Sequence, residues 1–298
     1  MAAMPVVVAG ASGLVGRAAV RSFSERSPEV RAYVRRREAA DALRDLGAKV
    51  AVGTIDDVDT LALVMKGAHT VCHLVGGLDL PDERAYERTN LESVRTALEA
   101  ARRARIERFL FLSYPGASAT TANAYLRCKG LAEEAVAASG MDHVILRCTH
   151  VYGPGSRWLN QTTRLARGWP SMVLGSGRQR LAPVFVEDVA AVLAAADDRD
   201  RTTSGTWGLE GPDRLTADEL ADLLAGRRRR KLHLSGRTAL QAGRLTGRRV
   251  STTALEVLEA NSLADAPDAA AEFGVARTPL LGGLARSTER GPADVLER

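Results

Sequence analysis

The chain has 298 residues and a net charge of +5, from 41 Lys and Arg against 36 Asp and Glu, and 45% of its residues are hydrophobic. This length and apolar share allow one large α/β domain, or a nucleotide-binding domain with a smaller appended one. Three cysteines without a CxxC pair and five histidines without ligand spacing argue against a disulfide framework and a metal site.

The first predicted strand, near 5–9, leads directly into a glycine-rich loop and then into a helical pattern. The loop has GxxGxxG spacing, in which glycines permit a tight turn and a close backbone approach to a pyrophosphate. The helix that follows offers unpaired N–H groups and a partial positive charge. This context predicts a dinucleotide site, whose contacting residues we expect to be Gly10, Ser12, Gly13, Leu14, Val15 and Gly16.

The second predicted strand, near 30–34, is followed by the consecutive arginines Arg35, Arg36 and Arg37. A carboxylate at this strand end binds the ribose hydroxyls of NAD, whereas an arginine binds the 2′-phosphate of NADP. We therefore expect NADP(H) as the cofactor, held by Arg35 and Arg36, with Arg17 assisting. The alternative is a solvated run of charge that opens a helix over 38–46.

Strand and helix patterns alternate to about residue 148, with further strands near 48–52, 69–75, 107–112 and 142–147. The clearest helix covers 82–103, because its apolar residues keep helical spacing. This alternation predicts a doubly wound, parallel α/β sheet of the Rossmann type. We expect this domain to span 1–150 and to receive segments from about 182–210, with a smaller, less regular substrate lobe over 151–298.

The chemistry is expected where the fourth and fifth strands end, because ligands bind outside the carboxyl ends of parallel strands. The fourth strand ends at Leu74, Val75, Gly76 and Gly77, where the small residues would let the cofactor approach the backbone. The fifth ends at Ser113, whose hydroxyl could bind a substrate carbonyl.

Tyr125 and Lys129 follow Ser113 with the i, i+4 spacing that places both side chains on one face of a helix. A phenol titrates near pH 10, so its use as a proton donor near neutrality requires a lowered pKa, which a neighbouring ammonium favours. Lys129 could also hold the cofactor ribose. Tyr114, His150, Tyr152 or an acidic substrate could supply the proton instead. Alternatively, Tyr125 could have only a packing role on its helix, and Lys129 could form an ordinary i, i+4 surface pair with Glu133.

The phosphate loop, Ser113, Tyr125 and Lys129 resemble those of the short-chain dehydrogenase/reductases. The resemblance is to the extended and atypical members, among them nucleotide-sugar epimerases, NmrA-like proteins and a complex I accessory subunit. It implies that Asn90 is a catalytic-site residue and that Gly53, Thr54 and Ile55 lie near the adenine. The segments LRCTHVYGPG and PVFVEDVA are similar to the family's, which implies nicotinamide contacts at Thr149, His150 and Val151. Thr54 and Cys148 depart from the family's acidic residue and proline.

These observations favour an NADP(H)-dependent ketoreductase. Its substrate is expected to be a bulky, apolar carbonyl compound such as a polyketide or another natural product of antibiotic biosynthesis, since the Arg- and Ala-rich composition is typical of high-GC bacteria. A nucleotide-sugar epimerase or dehydratase with retained NAD is the enzymatic alternative. The second alternative is a non-catalytic NADP(H) sensor or accessory subunit.

The remaining expectations concern partners and compartment. The basic cluster Arg227–Lys231 lacks interleaved aromatic residues, so we expect a solvated face and no nucleic-acid binding. The phosphate loop begins at residue 10, which leaves no room for a cleavable signal, and no apolar run would span a bilayer. We expect a cytoplasmic monomer or homodimer that does not bind membranes.

Overall fold

The computed structural model describes residues 4–198, 204–245 and 251–289. The first half contains, in chain order, β1 (Val6–Ala9), α1 (Leu14–Ser24), β2 (Val30–Val34), a 3-10 turn (Arg37–Ala39), α2 (Ala40–Asp45), β3 (Lys49–Val52), α3 (Val58–Met65), β4 (Thr70–His73), α4 (Glu83–Tyr86), a π-helical segment (Glu87–Glu92), α5 (Ser93–Ala104), β5 (Arg108–Ser113), α6 (Ala124–Ala137) and β6 (Asp142–Cys148). The second half contains β7 (Val151–Tyr152), α7 (Arg157–Arg167), β8 (Ser171–Leu174), β9 (Arg180–Leu181), β10 (Val184–Phe185), α8 (Val186–Ala196), β11 (Gly205–Leu209), β12 (Leu215–Thr216), α9 (Ala217–Ala225), β13 (Lys231–Leu234), α10 (Gly236–Leu245), α11 (Thr252–Glu259), α12 (Ala269–Glu272) and α13 (Leu280–Glu289).

A seven-stranded sheet in the order β3-β2-β1-β4-β5-β6-β11 forms the centre of the molecule, and all its neighbouring strands are parallel. The strand order reverses between β1 and β4, which opens a crevice at their carboxyl ends. The six strands predicted from the sequence coincide with β1–β6, and their ends differ by at most two residues. The Rossmann-type α/β fold is therefore confirmed, and β11 extends the sheet with a seventh strand.

Both faces of this sheet are buried. Val6, Val8 and Leu110 point into one apolar layer, which α1 and α8 cover, whereas Val7, Phe109 and Phe111 point into the other, against α5 and α6. The alternation follows from the two-residue period of a strand. The sheet is thus a rigid platform whose strand ends hold the loops of the site.

The helix expected over 82–103 is confirmed as a continuous helical run over 83–104, and it contains a π-helical segment that the sequence pattern did not predict. Its first turn, α4, passes into the π-helical segment before α5 resumes regular geometry. The π segment carries Asn90, whose amide accepts a hydrogen bond from Gly77 N–H and donates one to Gly77 O, both at 3.0 Å. π segments of this kind often mark functional sites.

Apart from α8 and β11, which belong to the layers of the central sheet, the chain after β6 forms a second lobe of small elements. Three short strand pairs, β7–β10, β8–β13 and β9–β12, support α7 and α9 around a separate apolar core. Asp188 at the start of α8 accepts hydrogen bonds from the backbone N–H and the hydroxyl of Thr278, both at 2.7 Å. Within the described ranges, no helix combines the length and apolar character needed to cross a bilayer.

Candidate functional site

The glycine loop after β1 forms a tight cradle at the crevice. Gly10 has φ +82°, and a Cβ there would lie 2.8 Å from the backbone of Leu74 and Val75. A Cβ at Gly16 would lie 2.3 Å from Gly10 O, so these two positions require glycine. At Gly13 the corresponding distance is 3.4 Å, an ordinary contact.

The N-terminus of α1 faces this cradle without a competing cap. Gly13 is the N-cap residue and provides no side-chain hydrogen bond, and the first turn contains no acidic residue. The first backbone N–H groups of a helix have no partner within it, and the helix dipole favours an anion at that end. The loop and helix therefore fit a pyrophosphate.

The predicted arginines lie beside the cradle. Gly10 N–H donates to Tyr33 O at 3.3 Å, so the end of β2, and Arg35 directly after it, are adjacent to the glycine loop. Arg35 and Arg36 are both exposed. Arg17 on α1 donates to Ser12 O at 3.5 Å. This placement suits a 2′-phosphate and is equally compatible with solvated charges.

Ser113 and Lys129 lie at the same sheet edge, and both are buried. Ser113 ends β5, and its hydroxyl oxygen has no hydrogen-bond partner among the described residues. The Lys129 ammonium donates to Leu112 O at 2.8 Å and lies 4.7 Å from the centre of the Phe111 ring. Burial lowers the pKa of Lys129 to about 8.

Gly76 connects this pair to the cofactor side. A Cβ at Gly76 would lie 3.2 Å from Lys129 Nζ and 3.1 Å from Asn90 Oδ1, so the ammonium reaches the loop after β4. Leu74 and Val75 precede Gly76 in that loop and are half-buried. Because Asn90 bonds Gly77 through both amide atoms, it acts here as a clamp on this loop.

Tyr125 lies on α6 one turn before Lys129 and is buried among aromatic rings. Its ring meets those of Tyr86 and Tyr114 edge-on, with centroids 6.3 and 5.9 Å away. Burial raises the pKa of its phenol, and the described residues provide no hydrogen bond to its hydroxyl. The surface-pair interpretation of Lys129 is wrong, because Glu133 is also buried and bonds Arg147 at 2.6 and 2.9 Å.

A second polar chain links the crevice to the second lobe. Tyr114 donates to Ser262 Oγ at 2.9 Å, and its hydroxyl lies 3.2 Å from His150 Nδ1. The imidazole of His150 packs on Trp158 with centroids 4.8 Å apart, and burial lowers its pKa to about 4. Sequence reasoning named Tyr114 and His150 separately, but no sequence pattern links Ser262 to them.

Some of the other predicted site residues make structural hydrogen bonds or strand pairs, and others lie at exposed positions. The Thr149 hydroxyl donates to Ala182 O at 2.5 Å, and Val151 pairs with β10. Thr54 is exposed after β3 and its carbonyl accepts from Tyr33 Oη at 2.8 Å, with Ile55 beside it. Tyr152 is wrong as a proton-donor candidate, since it is fully buried and donates to Leu280 O in the second-lobe core.

A cavity of about 100 Å³ lies in the second lobe and ends at His150. Side chains of α7, β8 and α9 supply most of its wall, including Trp158, Leu165 and Leu220. Gln179 lies in the wall as well; it is buried, and its Oε1 has no partner among the described residues. Among the residues that the structure describes, no charged side chain lines this cavity.

The basic cluster Arg227–Lys231 lies apart from this site. Lys231 pairs with Asp222 at 2.7 Å, and Arg229 donates to the carbonyls of Arg167 and Gly168. Arg227 and Arg228 are exposed. Some side chains of this cluster are therefore bonded to the protein and others are exposed. The sequence continues this basic character at Arg248 and Arg249, which lie outside the described residues.

Comparison with known proteins points to a common family. A protein-family model described as NAD(P)H-binding matches residues 10–198. Ceramide reductase of Caulobacter vibrioides is 32% identical over 64% of this chain and 60% of its own length. A mitochondrial NADH dehydrogenase alpha subcomplex subunit 9 of Arabidopsis thaliana is 30% identical over 73% of this chain and 56% of its own length. The chain thus spans less than two thirds of these relatives.

The fold agrees with the sequence comparison. The crystal structure of triphenylmethane reductase of Citrobacter sp., complexed with NADP(H), covers 95% of this chain and 99% of its own, with a TM-score of 0.77 and 18% identity. At this identity the similarity shows the fold alone.

Proposed function

The chain belongs to the NAD(P)H-binding family of short-chain dehydrogenase/reductases, and from this premise we propose that it reduces a neutral, apolar ketone with NADPH. The observation that carries the proposal is the buried, unpartnered hydroxyl of Ser113 at the crevice. A buried polar atom without a partner costs roughly 1–3 kcal/mol, a cost that a bound carbonyl oxygen would remove.

Each residue of the crevice would have its own role in the reaction. The nicotinamide, when bound, supplies the hydride. Ser113 donates a hydrogen bond to the carbonyl oxygen, which orients the carbonyl and stabilises the developing negative charge. Tyr125 transfers its phenolic proton to the same oxygen. The Lys129 ammonium, one helical turn further along α6, would offset part of the cost of ionising this buried phenol, because a nearby positive charge favours the phenolate.

The cofactor preference rests on Arg35. A guanidinium offers a fork of donors that suits the 2′-phosphate of NADP, and no acidic residue stands directly after β2. The Citrobacter neighbour is complexed with NADP(H), which agrees with this preference.

The uncharged cavity supports an apolar substrate. Its walls offer no cation for a diphosphate group, so a nucleotide sugar fits it poorly. The name of the Caulobacter relative, a ceramide reductase, agrees with a reductase that acts on an apolar molecule.

A non-catalytic dinucleotide-binding protein is the second candidate. It is favoured by the burial of Tyr125, whose hydroxyl has no bond to Lys129 or Ser113 among the described residues, and by the similarity to an NADH dehydrogenase subunit. In this alternative the fold binds the cofactor and turns nothing over.

The cofactor is tested by titrating the protein with NADPH and NADH while following reduced-nicotinamide fluorescence. We expect tighter NADPH binding, and Arg35→Ala should weaken it by roughly 10–100-fold, the range of one or two charge-assisted hydrogen bonds. Arg44→Ala is the control, since Arg44 is an exposed arginine paired with Asp41 on α2. Equal affinity for both nucleotides would reject the NADP preference.

The chemistry is tested with aliphatic and aryl ketones in the presence of NADPH. Tyr125→Phe should lower kcat by about 10²–10⁴-fold with little change in NADPH affinity, the range for loss of a general acid. Tyr33→Phe serves as the control, because it removes another buried tyrosine hydroxyl, on β2, whose bond is to Thr54 O. If NADPH binds but no ketone is reduced, the non-catalytic candidate replaces the reductase.

A further inference from the structure

The second-lobe cavity has two polar atoms whose hydrogen-bonding roles follow from their partners. The first is Gln179 Oε1. Gln179 is 7% exposed, its Nε2 donates to Leu174 O at 2.5 Å, and Oε1 has no partner among the described residues. The bond to Leu174 fixes which amide atom is the nitrogen, so the unpartnered atom is an acceptor.

The second atom is His150 Nε2, whose role follows from the chain of bonds behind it. Tyr114 donates its single hydroxyl proton to Ser262 Oγ, so it has none left for His150. The contact at 3.2 Å between Tyr114 Oη and His150 Nδ1 therefore requires that Nδ1 carry the proton. Burial keeps the imidazole neutral, with a pKa of about 4. A neutral ring protonated at Nδ1 has a bare acceptor at Nε2.

The surroundings of these acceptors are apolar and uncharged. The cavity wall is formed mainly by Leu, Val, Ala and Met side chains, with Trp158 packed on His150. A ligand here must therefore be neutral and mostly hydrocarbon. A polar group placed against Gln179 Oε1 or His150 Nε2 must donate a hydrogen bond, whereas the exposed amide of Gln161 can also donate to a ligand. An ether or ester without a donor would leave Gln179 Oε1 unpartnered, which is costly in a buried site.

We propose that this cavity binds a neutral apolar group carrying a hydroxyl or amide N–H, whose hydrogen is accepted by Gln179 Oε1 or His150 Nε2. The identification of this group as part of the substrate rests on the proposed function. The expected selectivity for a hydrogen-bond donor over an acceptor does not rest on the proposed function. His150 in the cavity wall contacts Tyr114, and Tyr114 packs on Tyr125, so side-chain contacts join the cavity wall to the crevice.

The test uses two isomers, 1-hexanol and methyl pentyl ether, which differ in having and lacking a donor. Their dissociation constants are measured with the full chain, without cofactor, by ligand-observed NMR titration. We expect 1-hexanol to bind about 3–10-fold more tightly, the range of one neutral hydrogen bond. Equal binding, tighter binding of the ether, or no binding of either isomer would overturn the proposal.

Matched variants assign the acceptor. Gln179→Met keeps the side-chain length and removes the amide, so it should lower the alcohol-to-ether preference severalfold. Gln161→Met makes the same change at an exposed glutamine of the same wall and should leave the preference unchanged. Equal effects of the two variants would reject Gln179 as the acceptor.

Ser262→Ala provides a test that does not depend on Gln179. Without the Ser262 hydroxyl, the Tyr114 proton should turn to His150 Nδ1, which moves the ring proton to Nε2 and makes that atom a donor. The alcohol-to-ether preference should then fall or reverse. An unchanged preference would contradict the assigned tautomer. NADPH titration of the Gln179 and Gln161 variants reports separately on the proposed function, because neither glutamine is an expected cofactor contact.

Discussion

The two halves of the molecule build their sites in different ways. In the central sheet, seven adjacent parallel strands bring backbone groups to one edge, and the cradle is defined by glycines that let the chain approach itself. In the second lobe, strand pairs of two to four residues leave the geometry to side-chain bonds between distant segments, such as Tyr114 to Ser262 and Asp188 to Thr278. The first kind of site should be sensitive to added atoms, and the second to lost bonds.

The largest effect is expected from adding one methyl group to the cradle. Gly16→Ala places a Cβ 2.3 Å from Gly10 O, a backbone atom that cannot yield without moving the loop. We expect a loss of roughly 3 kcal/mol or more in the free energy of unfolding, and loss of dinucleotide binding. Urea denaturation and NADPH titration measure the two effects.

Gly13→Ala is the matched control in the same loop. Its Cβ would lie 3.4 Å from Gly10 O, so the cost should stay below about 1 kcal/mol. If both alanines were equally tolerated, the cradle would not depend on close backbone approach, and the contrast between the two halves would fail.

The buried ammonium of Lys129 should affect stability in a pH-dependent way. Its pKa of about 8 in the folded protein lies below the unfolded value of 10.5, so the charged form destabilises the fold fully below pH 8. As pH rises from 8 towards 10.5, the unfolded chain binds more protons and this penalty disappears. The difference corresponds to roughly 3 kcal/mol.

Lys129→Met isolates this contribution from other titrating groups. Near pH 7 the variant should have a higher free energy of unfolding than the wild type. The gain should be smaller than the full penalty by about 1 kcal/mol, because the hydrogen bond from Lys129 to Leu112 O is lost. The gain should shrink as pH approaches 10. Urea denaturation of both proteins at several pH values measures it, and a difference that is constant with pH would show that Lys129 is not desolvated.

The same contrast explains how far the sequence could predict the structure. The strands β1–β6 and the glycine loop were predictable because strand hydrophobicity and glycine spacing are local signals. Tyr125 and Lys129 were predictable as helical neighbours on α6. The burial of Lys129, the clamp between Asn90 and Gly77, and the bond from Tyr114 to Ser262 depend on tertiary packing, which a local pattern does not encode.

Loss of a bond in the second lobe should have an intermediate effect. Asp188→Asn replaces one of the carboxylate oxygens that accept from Thr278 with a donor. Charged hydrogen bonds contribute about 1.5–3 kcal/mol, so we expect the free energy of unfolding to fall by about 2 kcal/mol. Thr278→Val removes only the hydroxyl and should cost about half as much. Equal stability of both variants and the wild type would show that this tether is dispensable.

The smallest effect is expected where a side chain bridges the regular sheet. Tyr33 Oη donates to Thr54 O at 2.8 Å and joins the ends of β2 and β3, whose register the backbone ladder already sets. Tyr33→Phe should therefore cost only about 1 kcal/mol in the free energy of unfolding, the net value of one neutral hydrogen bond. It should also leave NADPH affinity within about twofold of the wild type, because the strand ends stay aligned without the hydroxyl. A larger loss of affinity would mean that side-chain bonds, and not the ladder alone, hold the adenosine side of the crevice, which would make the two halves of the molecule more alike than their architecture suggests.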